Sequence, residues 1–308
     1  MIVIQDILYA RYQAPDLDVM EAFLLDFGMK RALRTETTLF MRGDGPQPYI
    51  HVTDRGDEVR SDGFGLLAQS IDDLETLAGE LNLPVEDNPE PAGGKLLRVT
   101  DPSGFHVAIV AGIDELQPSL TRRPVNYNPA TDRARLGQTV HLAPGPSHVH
   151  RLGHVLLRCT HMEESLKFYT ETLGFRISDS GYAGTPDNVM GHFLHCGLGQ
   201  QYTDHHTIGV FKRPESKIDH SGYEVLDMDD LMMGCEHLKA NAHKHQWGIG
   251  RHVEGSQIFD YWRDPFGNKI EHWTDGDLVN DDYKGASKPL TPEGLYQWGP
   301  PLPAGFYQ

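Results

Sequence analysis

The feature that most constrains the fold is an internal repeat, because the second half of the chain follows the same order of patterns as the first. Two segments with helical spacing of apolar residues, DLDVMEAFLLDFGMKRA near residue 20 and MEESLKFYTETLGFRIS near residue 163, follow strand-like runs and end at Gly28 and Gly174. In each half an Asp-Asp-Leu motif opens a second helical pattern, and an Asp-Pro-x-Gly turn precedes a final strand, VTDPSGFHVAIV or WRDPFGNKIEHW. The repeat predicts an α+β protein that uses one scaffold of β-α-β-β-β units twice.

The length of the chain agrees with this duplication, since 308 residues correspond to about two domains of ~150 residues each. We expect a first module at residues 1–113 and a proline-containing linker without periodicity at residues 114–148. A second module is expected at residues 149–275. The last segment, residues 276–308, is rich in proline and glycine but also aromatic, so we expect an irregular tail that packs on the body.

The charge balance limits the classes of partner. The chain has 27 Lys and Arg against 44 Asp and Glu, a formal charge of −17, which disfavours binding to nucleic acid or to an anionic membrane. No apolar run approaches the ~18 residues that would span a bilayer, and the N-terminus lacks a signal-peptide pattern. A cytoplasmic protein without membrane contact is expected.

Histidine is concentrated in the second half. Only His51 and His106 of the 17 histidines precede residue 140. When the helical patterns of the two halves are aligned, three residues of the second half that could bind a metal stand opposite residues that could not: His154 opposite Leu8, His220 opposite Gly63, and Glu271 opposite Ala108. Each of the three alone has an ordinary structural explanation. Together they form the two-histidine, one-carboxylate set of non-haem Fe(II) oxygenases, which leaves one face of the metal open.

The second half also resembles a known family, the type I extradiol ring-cleavage dioxygenases of the vicinal oxygen chelate superfamily. The resemblance rests on LGHVLLR around His154, DHHTIGVF, the segment around His220, and GRHVEGSQIFDYWRDPFGNKIEHWTDGD. It implies two tandem modules, each of paired βαβββ units that form an open, barrel-like sheet around a cavity. It further implies that only the C-terminal module binds metal, with His154, His220 and Glu271 as ligands of Fe(II), or of Mn(II) as the alternative ion.

The resemblance assigns three further residues. A histidine of the adjacent pair His205-His206 would be the acid–base catalyst, and because successive strand residues face opposite sides, only one of them can point into the site. The spacing favours His206, with His205 as the alternative. Tyr261 would donate a hydrogen bond to the bound substrate, and His252 would contact substrate oxygen atoms.

The function expected on these grounds is extradiol cleavage of a catechol-type vicinal diol, with insertion of both atoms of O₂, in the catabolism of aromatic compounds. A small catecholic substrate and a homo-oligomer are part of that expectation. Two alternatives stay open. One is a glyoxalase- or epimerase-like isomerase that uses a divalent metal as a Lewis acid. The other is a non-catalytic protein that binds aromatic ligands on the same scaffold.

Overall fold

Two mixed sheets, one from each half of the chain, dominate the computed structural model, which describes residues 2–119 and 122–306. The first sheet has eight strands in the order β2-β3-β4-β1-β5-β8-β7-β6. Its strands and the two helices packed on it are β1 (Ile4–Ala14), α1 (Leu17–Asp26), β2 (Lys30–Arg34), β3 (Thr38–Arg42), β4 (His51–Arg55), β5 (Arg60–Ala68), α2 (Ile71–Leu81), β6 (Glu86–Asp87), β7 (Lys95–Thr100) and β8 (His106–Ala111).

The second sheet repeats this arrangement. Its central eight strands have the order β10-β11-β13-β9-β14-β17-β16-β15. The elements of this half are β9 (Val149–Cys159), α3 (Met162–Lys167) continued by a π-helical turn (Phe168–Thr172), β10 (Arg176–Tyr182), β11 (Val189–His195), β12 (Thr203–Asp204), β13 (Ile208–Lys212), β14 (Lys217–Val225), α4 (Met228–Ala240), β15 (Lys244–His252), β16 (Ile258–Arg263) and β17 (Lys269–Thr274).

The strand pairing confirms the predicted fold class. In each sheet a β-α-β-β-β unit closes on itself by a parallel pair, β1 with β4 and β5 with β8, and the two units join through the antiparallel pair of β1 with β5. The second half repeats this with β9 and β13, β14 and β17, and β9 with β14. Within the described part of 114–148, no helix or strand occurs. The exact division at 113, 148 and 275 stays a prediction, and residues 1, 120, 121, 307 and 308 of the predicted segments lie outside the described residues.

Local sequence signals produce the helix ends and turns that the repeat predicts. Asp16, Ser70 and Asp227 cap the N-termini of α1, α2 and α4 by accepting hydrogen bonds from backbone N–H groups of the first turn. In the Asp-Pro-x-Gly turn before β17, the Asp264 carboxylate accepts hydrogen bonds from the backbone N–H groups of Phe266 and Asn268. Among the described residues, no helix combines the length and apolar composition needed to cross a bilayer.

The described part of the last segment, residues 276–306, is less irregular than expected. It forms β18 (Leu278–Val279), β19 (Ser287–Pro289) and β20 (Tyr296–Trp298) with a 3-10 turn (Pro292–Gly294). Strand β19 pairs with β10 and β20 pairs with β15, so the tail extends the second sheet at both of its edges. The tail therefore lies across the opening of the sheet, where it can form part of a binding cavity.

The two halves share one apolar core and are also connected by polar contacts. The hydroxyl of Tyr223 is 2.8 Å from Nδ1 of His51, and Nε2 of His272 donates to the carbonyl of Phe27 at 2.7 Å. His237, near the end of α4, and His243, just after it, lie 3.1 and 2.8 Å from Asp26 of the first half. The end of α4 thus contacts α1, an arrangement of distant segments that has no local signature in the sequence.

Candidate metal centre

Three side chains from three neighbouring strands converge in the second sheet. His154 on β9, His220 on β14 and Glu271 on β17 each place one donor atom within 4.8 Å of the other two. Nε2 of His154 is 2.9 Å and Nε2 of His220 is 3.5 Å from the same Glu271 oxygen, Oε2. His154 lies in the middle of β9, which begins at Val149 and ends at Cys159. The sheet therefore brings together the three residues predicted as metal ligands.

The charge of Glu271 makes this site suited to a cation. The side chain is fully buried, and its Oε1 atom has no hydrogen-bond partner among residues 2–119 and 122–306. Burial alone would raise the pKa of the carboxyl, but the hydrogen bond and charge of His154 hold that pKa well below its usual range, so the group is an anion. A buried anion between two imidazole nitrogens is the donor set that a divalent transition metal would neutralise, and the residues present fit such an ion.

Asp219 orients one of these imidazoles. Its carboxylate accepts a hydrogen bond from Nδ1 of His220 at 3.1 Å and is itself held by Lys269 at 2.8 Å and Arg158 at 2.7 Å. With the proton on Nδ1, the lone pair of Nε2 points toward Glu271, which is the form that binds a metal. Asp219 therefore supports His220 in the orientation that a metal ligand requires.

The histidine pair lies beside this centre, with His206 on the cavity wall. The ring centroid of His206 is 4.6 Å from that of His154, and burial lowers the pKa of its imidazole well below the usual value, which favours the neutral ring. His205 points away from the cavity toward Asp179, 2.7 Å from its Nε2. The structure thus places the predicted residue in the cavity, but the predicted reason was wrong. Both residues precede β13, which begins at Ile208, and lie in its connection to β12.

Tyr261 and His252 form a hydrogen-bonded pair opposite His206. Their Oη and Nε2 atoms are 2.9 Å apart, and Nδ1 of His252 donates to the carbonyl of Leu295 in the tail at 2.9 Å. In the neutral imidazole, Nδ1 therefore carries the proton and Nε2 accepts the Tyr261 hydroxyl. The Tyr261 ring lies edge-on to His220 with a centroid distance of 5.2 Å, so its hydroxyl is close to the three converging side chains.

A cavity opens over these groups. The cavity and its mouth enclose about 1070 Å³. His154, His206, His220, His252 and Tyr261 lie in its wall, and much of the remaining wall is apolar: Leu156, Phe193, Phe211, Trp247, Leu290, Leu295 and Phe306. A cavity with a largely apolar wall and a few convergent polar groups is typical of a site for a small organic ligand.

Among the described residues of the first module, no equivalent group of metal-binding side chains converges, and aromatic side chains occupy the corresponding space. In the strand register of the second sheet, Gly222 on β14 lies opposite His154 on β9 and Glu271 on β17. In the first sheet, Gly65 on β5 lies in the same way opposite Tyr9 on β1 and Ala108 on β8. Tyr9, and not Leu8, is therefore the counterpart of His154. Tyr9 packs on Tyr49 with ring centroids 5.2 Å apart, within a buried apolar cluster.

Several residues of the site had no signal in the sequence. Trp247 stacks on Tyr261 with ring centroids 5.8 Å apart, Phe306 reaches the cavity from the end of the tail, and Asp179 supports His205 from β10. All three lie outside the recognised motifs. Of the three, only Asp179 offers a hint, because a carboxylate that is buried in a strand needs a polar partner.

Comparisons with known proteins agree with this geometry. Residues 151–272 match the model of the Glyoxalase/Bleomycin resistance protein/Dioxygenase superfamily. Over 157 residues the chain is 33% identical to Metapyrocatechase 2 of Cupriavidus necator, which covers 51% of this chain and 46% of that protein. Over 142 residues it is 31% identical to an iron-dependent extradiol dioxygenase of Rhodococcus jostii, which covers 42% and 45%. The matched part thus spans slightly less than half of the length of these curated relatives.

Solved structures resemble the chain over its whole length. The Mn(II)-bound glyoxalase from Novosphingobium aromaticivorans superposes with a TM-score of 0.79 at 23% identity, covering 100% of this chain and 98% of that one. Homoprotocatechuate 2,3-dioxygenase from Arthrobacter globiformis superposes with a TM-score of 0.77 at 19% identity, covering 99% and 91%. At these identities the likeness concerns the fold. The part of the chain that matches the Glyoxalase/Bleomycin resistance protein/Dioxygenase superfamily, residues 151–272, is the part that carries the three converging side chains.

Proposed function

We propose that the protein is an extradiol dioxygenase, which uses Fe(II) and O₂ to open the ring of a catechol beside its two hydroxyls. The observation that carries the proposal is the combination of His154, His220 and Glu271 with His206 and Tyr261 on the wall of one cavity. The proteins that the chain resembles support it, since their names describe a metapyrocatechase and an iron-dependent extradiol dioxygenase.

His154, His220 and Glu271 would hold the metal ion through Nε2, Nε2 and a carboxylate oxygen. A bound ferrous ion supplies open coordination positions for a vicinal diol and for dioxygen, and a path for electrons between them. The carboxylate and two neutral imidazoles leave a net positive charge at such an ion, which favours a substrate that binds as an anion. Mn(II) accepts the same ligands and is the alternative ion.

The other polar residues would handle the protons of the substrate. His206, neutral and next to His154, would take the proton of one substrate hydroxyl and return it later in the reaction. Tyr261 would donate its hydroxyl to the deprotonated substrate oxygen. In the structure that hydroxyl points to His252, so the donation needs a proton on Nε2 of His252 or a rotation of the hydroxyl.

The cavity wall favours an apolar substituent on the ring. Trp247, Leu295 and Phe306 line the part contributed by β15 and the tail, and Leu156 and Phe193 line the part contributed by the central strands. Apolar walls bury an alkyl or aryl group favourably, and two of the basic side chains that also line the cavity, Arg158 and Lys288, are already paired with Asp219 and Glu254. Alkyl- or aryl-substituted catechols are therefore the proposed substrate class.

The test is anaerobic reconstitution of metal-free protein with Fe(II), followed by addition of a panel of catechols and then of air. Catechol, 3-methylcatechol, 2,3-dihydroxybiphenyl and a carboxylated catechol form the panel. We expect a yellow ring-fission product and matching O₂ uptake, with the highest kcat/KM for a substrate that carries an apolar group. Stoichiometric iron without product from any catechol would contradict the proposal.

The same protein tests the two alternatives. Metal-dependent isomerisation of a hemithioacetal without O₂ would indicate the chemistry named for the glyoxalase of the same fold. Aromatic ligands bound tightly by a protein that takes up no metal would indicate a binding protein. The homo-oligomer implied by the sequence resemblance remains a prediction, which light scattering of the purified chain tests.

A further inference from the structure

We propose that Asp179 is a positioning residue that acts through His205 to keep Nε2 of His206 free of a proton and open to the cavity. The inference rests on the proposed function, because it explains how His206 is kept ready to accept a proton from a substrate hydroxyl. It gives His205 a role different from that of a spare acid–base residue.

The three residues form a continuous chain of contacts from β10 to the cavity. The Asp179 carboxylate is 2.7 Å from Nε2 of His205, and Nδ1 of His205 is 3.2 Å from Nδ1 of His206. All three side chains are buried, at 3%, 2% and 5% exposure, so water does not compete for these hydrogen bonds. The second ring nitrogen of His206, Nε2, makes no hydrogen bond to any residue that the structure describes.

The proton positions follow from what each atom can donate. A carboxylate only accepts, so Nε2 of His205 carries a proton, and in the neutral ring Nδ1 is then an acceptor. That acceptor can be satisfied only if Nδ1 of His206 carries a proton. The neutral His206 ring then has its lone pair on Nε2, which is the form of imidazole needed for a general base.

The surroundings of Asp179 keep it ionised. Burial by itself raises the pKa of this carboxyl, but the hydrogen bonds from His205 and from the backbone N–H of Ala286 outweigh it and lower the pKa to about 2. The other groups that face it are the hydroxyl of Tyr283, at 3.4 Å, and the carboxyl of Glu254, which pairs with Lys288 at 2.8 Å. Asp179 is therefore a fixed acceptor, which the proton assignment requires.

The substitution Asp179→Asn should reverse the direction of both hydrogen bonds, between residue 179 and His205 and between His205 and His206. The backbone N–H of Ala286 donates to Oδ1 of Asp179 at 2.6 Å, so the amide introduced by the substitution keeps its oxygen at that position. Its NH₂ group then faces His205 and donates to Nε2. His205 must carry its proton on Nδ1 and donate to His206, whose remaining proton moves to Nε2 and blocks the base.

We expect Asp179→Asn to lower kcat by ~10²-fold or more at unchanged iron content, since acid–base help of this kind is worth ~10²–10⁴-fold. The effect should fall on kcat more than on KM, because no contact with the ring of the substrate changes. Tyr283→Phe is the matched control. The substitution removes the Tyr283 hydroxyl, which faces the same Asp179 carboxylate, and changes no tautomer. The kcat of Tyr283→Phe should therefore stay within about threefold of wild type.

A double-mutant cycle separates positioning from support of the fold. His205→Asn places an amide oxygen near the former Nδ1 atom, where it accepts from His206 without help from Asp179. We expect His205→Asn to reduce kcat only in part, because its amide can also turn the NH₂ group toward Nδ1 of His206, and Asp179→Asn to cause no further loss of kcat in that background. If Asp179→Asn caused the same loss in both backgrounds, or had no effect in wild type at full iron content, the inference would be overturned.

The cycle also distinguishes this inference from the proposed function. If wild-type protein with bound iron cleaves no catechol, the proposed function fails and no tautomer effect is measurable through kcat. If wild type cleaves catechols and Asp179→Asn is equally active, only the role of Asp179 fails. Thermal unfolding and iron content of each variant, measured on the same samples, identify a variant that has lost activity by unfolding.

Discussion

Gly222 lies directly opposite His154 in the β14–β9 pair, and a Cβ atom at Gly222 would overlap the His154 imidazole. The equivalent pair in the first module is Gly65 and Tyr9, where a Cβ atom would overlap the phenol ring. In both modules a glycine thus makes room for a ring on the neighbouring strand. The ring is a predicted metal ligand in one module and part of an apolar cluster in the other.

This relationship predicts different outcomes for the same substitution in the two modules. Gly222→Ala should displace His154 and abolish stoichiometric iron binding, whereas Gly65→Ala should leave the iron content unchanged. Both changes add a methyl group to a packed interior and should lower the free energy of unfolding by about 1–3 kcal/mol. Iron content by elemental analysis and urea unfolding check the pair. Equal iron loss in both variants would contradict the assignment of His154.

Metal binding should stabilise the native protein through Glu271. An ion that binds only the folded state adds about 2.7 kcal/mol at a concentration 100 times its Kd. We expect chelation to lower the Tm of wild type, and Glu271→Gln to remove the response of Tm to added Fe(II). Glu224→Gln is the control, because Glu224 lies in the same sheet but pairs with Arg151. A Tm of Glu271→Gln that still rises with Fe(II) would contradict the ligand role.

Asp6 should make stability depend on pH. Burial and the nearby Asp204 raise the pKa of this carboxyl to about 7 from 3.8, although Arg151 opposes the shift. Between these pH values the native chain holds a proton that the unfolded chain has lost. Stability contributed by the protonated group is therefore complete below pH 3.8 and lost as the pH rises through about 7.

The corresponding experiment compares Asp6→Asn with wild type. The substitution should remove this component of the fall in unfolding free energy between pH 5 and pH 8, both proteins being metal-free. Asp57→Asn, at an exposed position, should keep the wild-type slope. Urea unfolding at several pH values measures the slopes, and identical slopes for Asp6→Asn and wild type would count against the raised pKa.

The tail should contribute to substrate binding. Phe306 is 6% exposed and packs edge-on to Trp247 and Tyr261, with ring centroids 5.0 and 5.2 Å apart. Phe306→Ala should raise the KM for an alkyl- or aryl-catechol by about three- to tenfold, the scale of one lost aromatic contact. Trp298→Ala, in the same tail but 41% exposed, is the control and should leave KM unchanged. Steady-state kinetics with the preferred catechol decide between them.

The repeated order of strands, caps and turns could be predicted because each signal is local. Asp16, Ser70 and Asp227 precede helices, and Asp-Pro-x-Gly marks the turn before the final strand of each module. The predicted ligands were found by comparing the two modules, and the sheet brings all three together. This part of the site was accessible because strands of a duplicated scaffold occupy equivalent positions.

Two details could not be derived from the sequence. The π-helical turn Phe168–Thr172 adds a residue before Gly174, so alignment of the glycines matched His154 with Leu8, one residue away from Tyr9. Helical spacing of apolar residues does not reveal such a turn. The support of His206 by Asp179 was also hidden, because it depends on β10 packing beside the connection before β13.

The central claim is that the metal centre in the second module inserts both atoms of O₂ into a catechol. Its most direct test is turnover of the Fe(II)-loaded protein under ¹⁸O₂, with immediate reduction of the product aldehyde to prevent exchange of its oxygen with water. The account predicts a ring-opened product that carries two ¹⁸O atoms, with one O₂ consumed per ring. A product formed without O₂, or one that carries no label from it, would contradict the account.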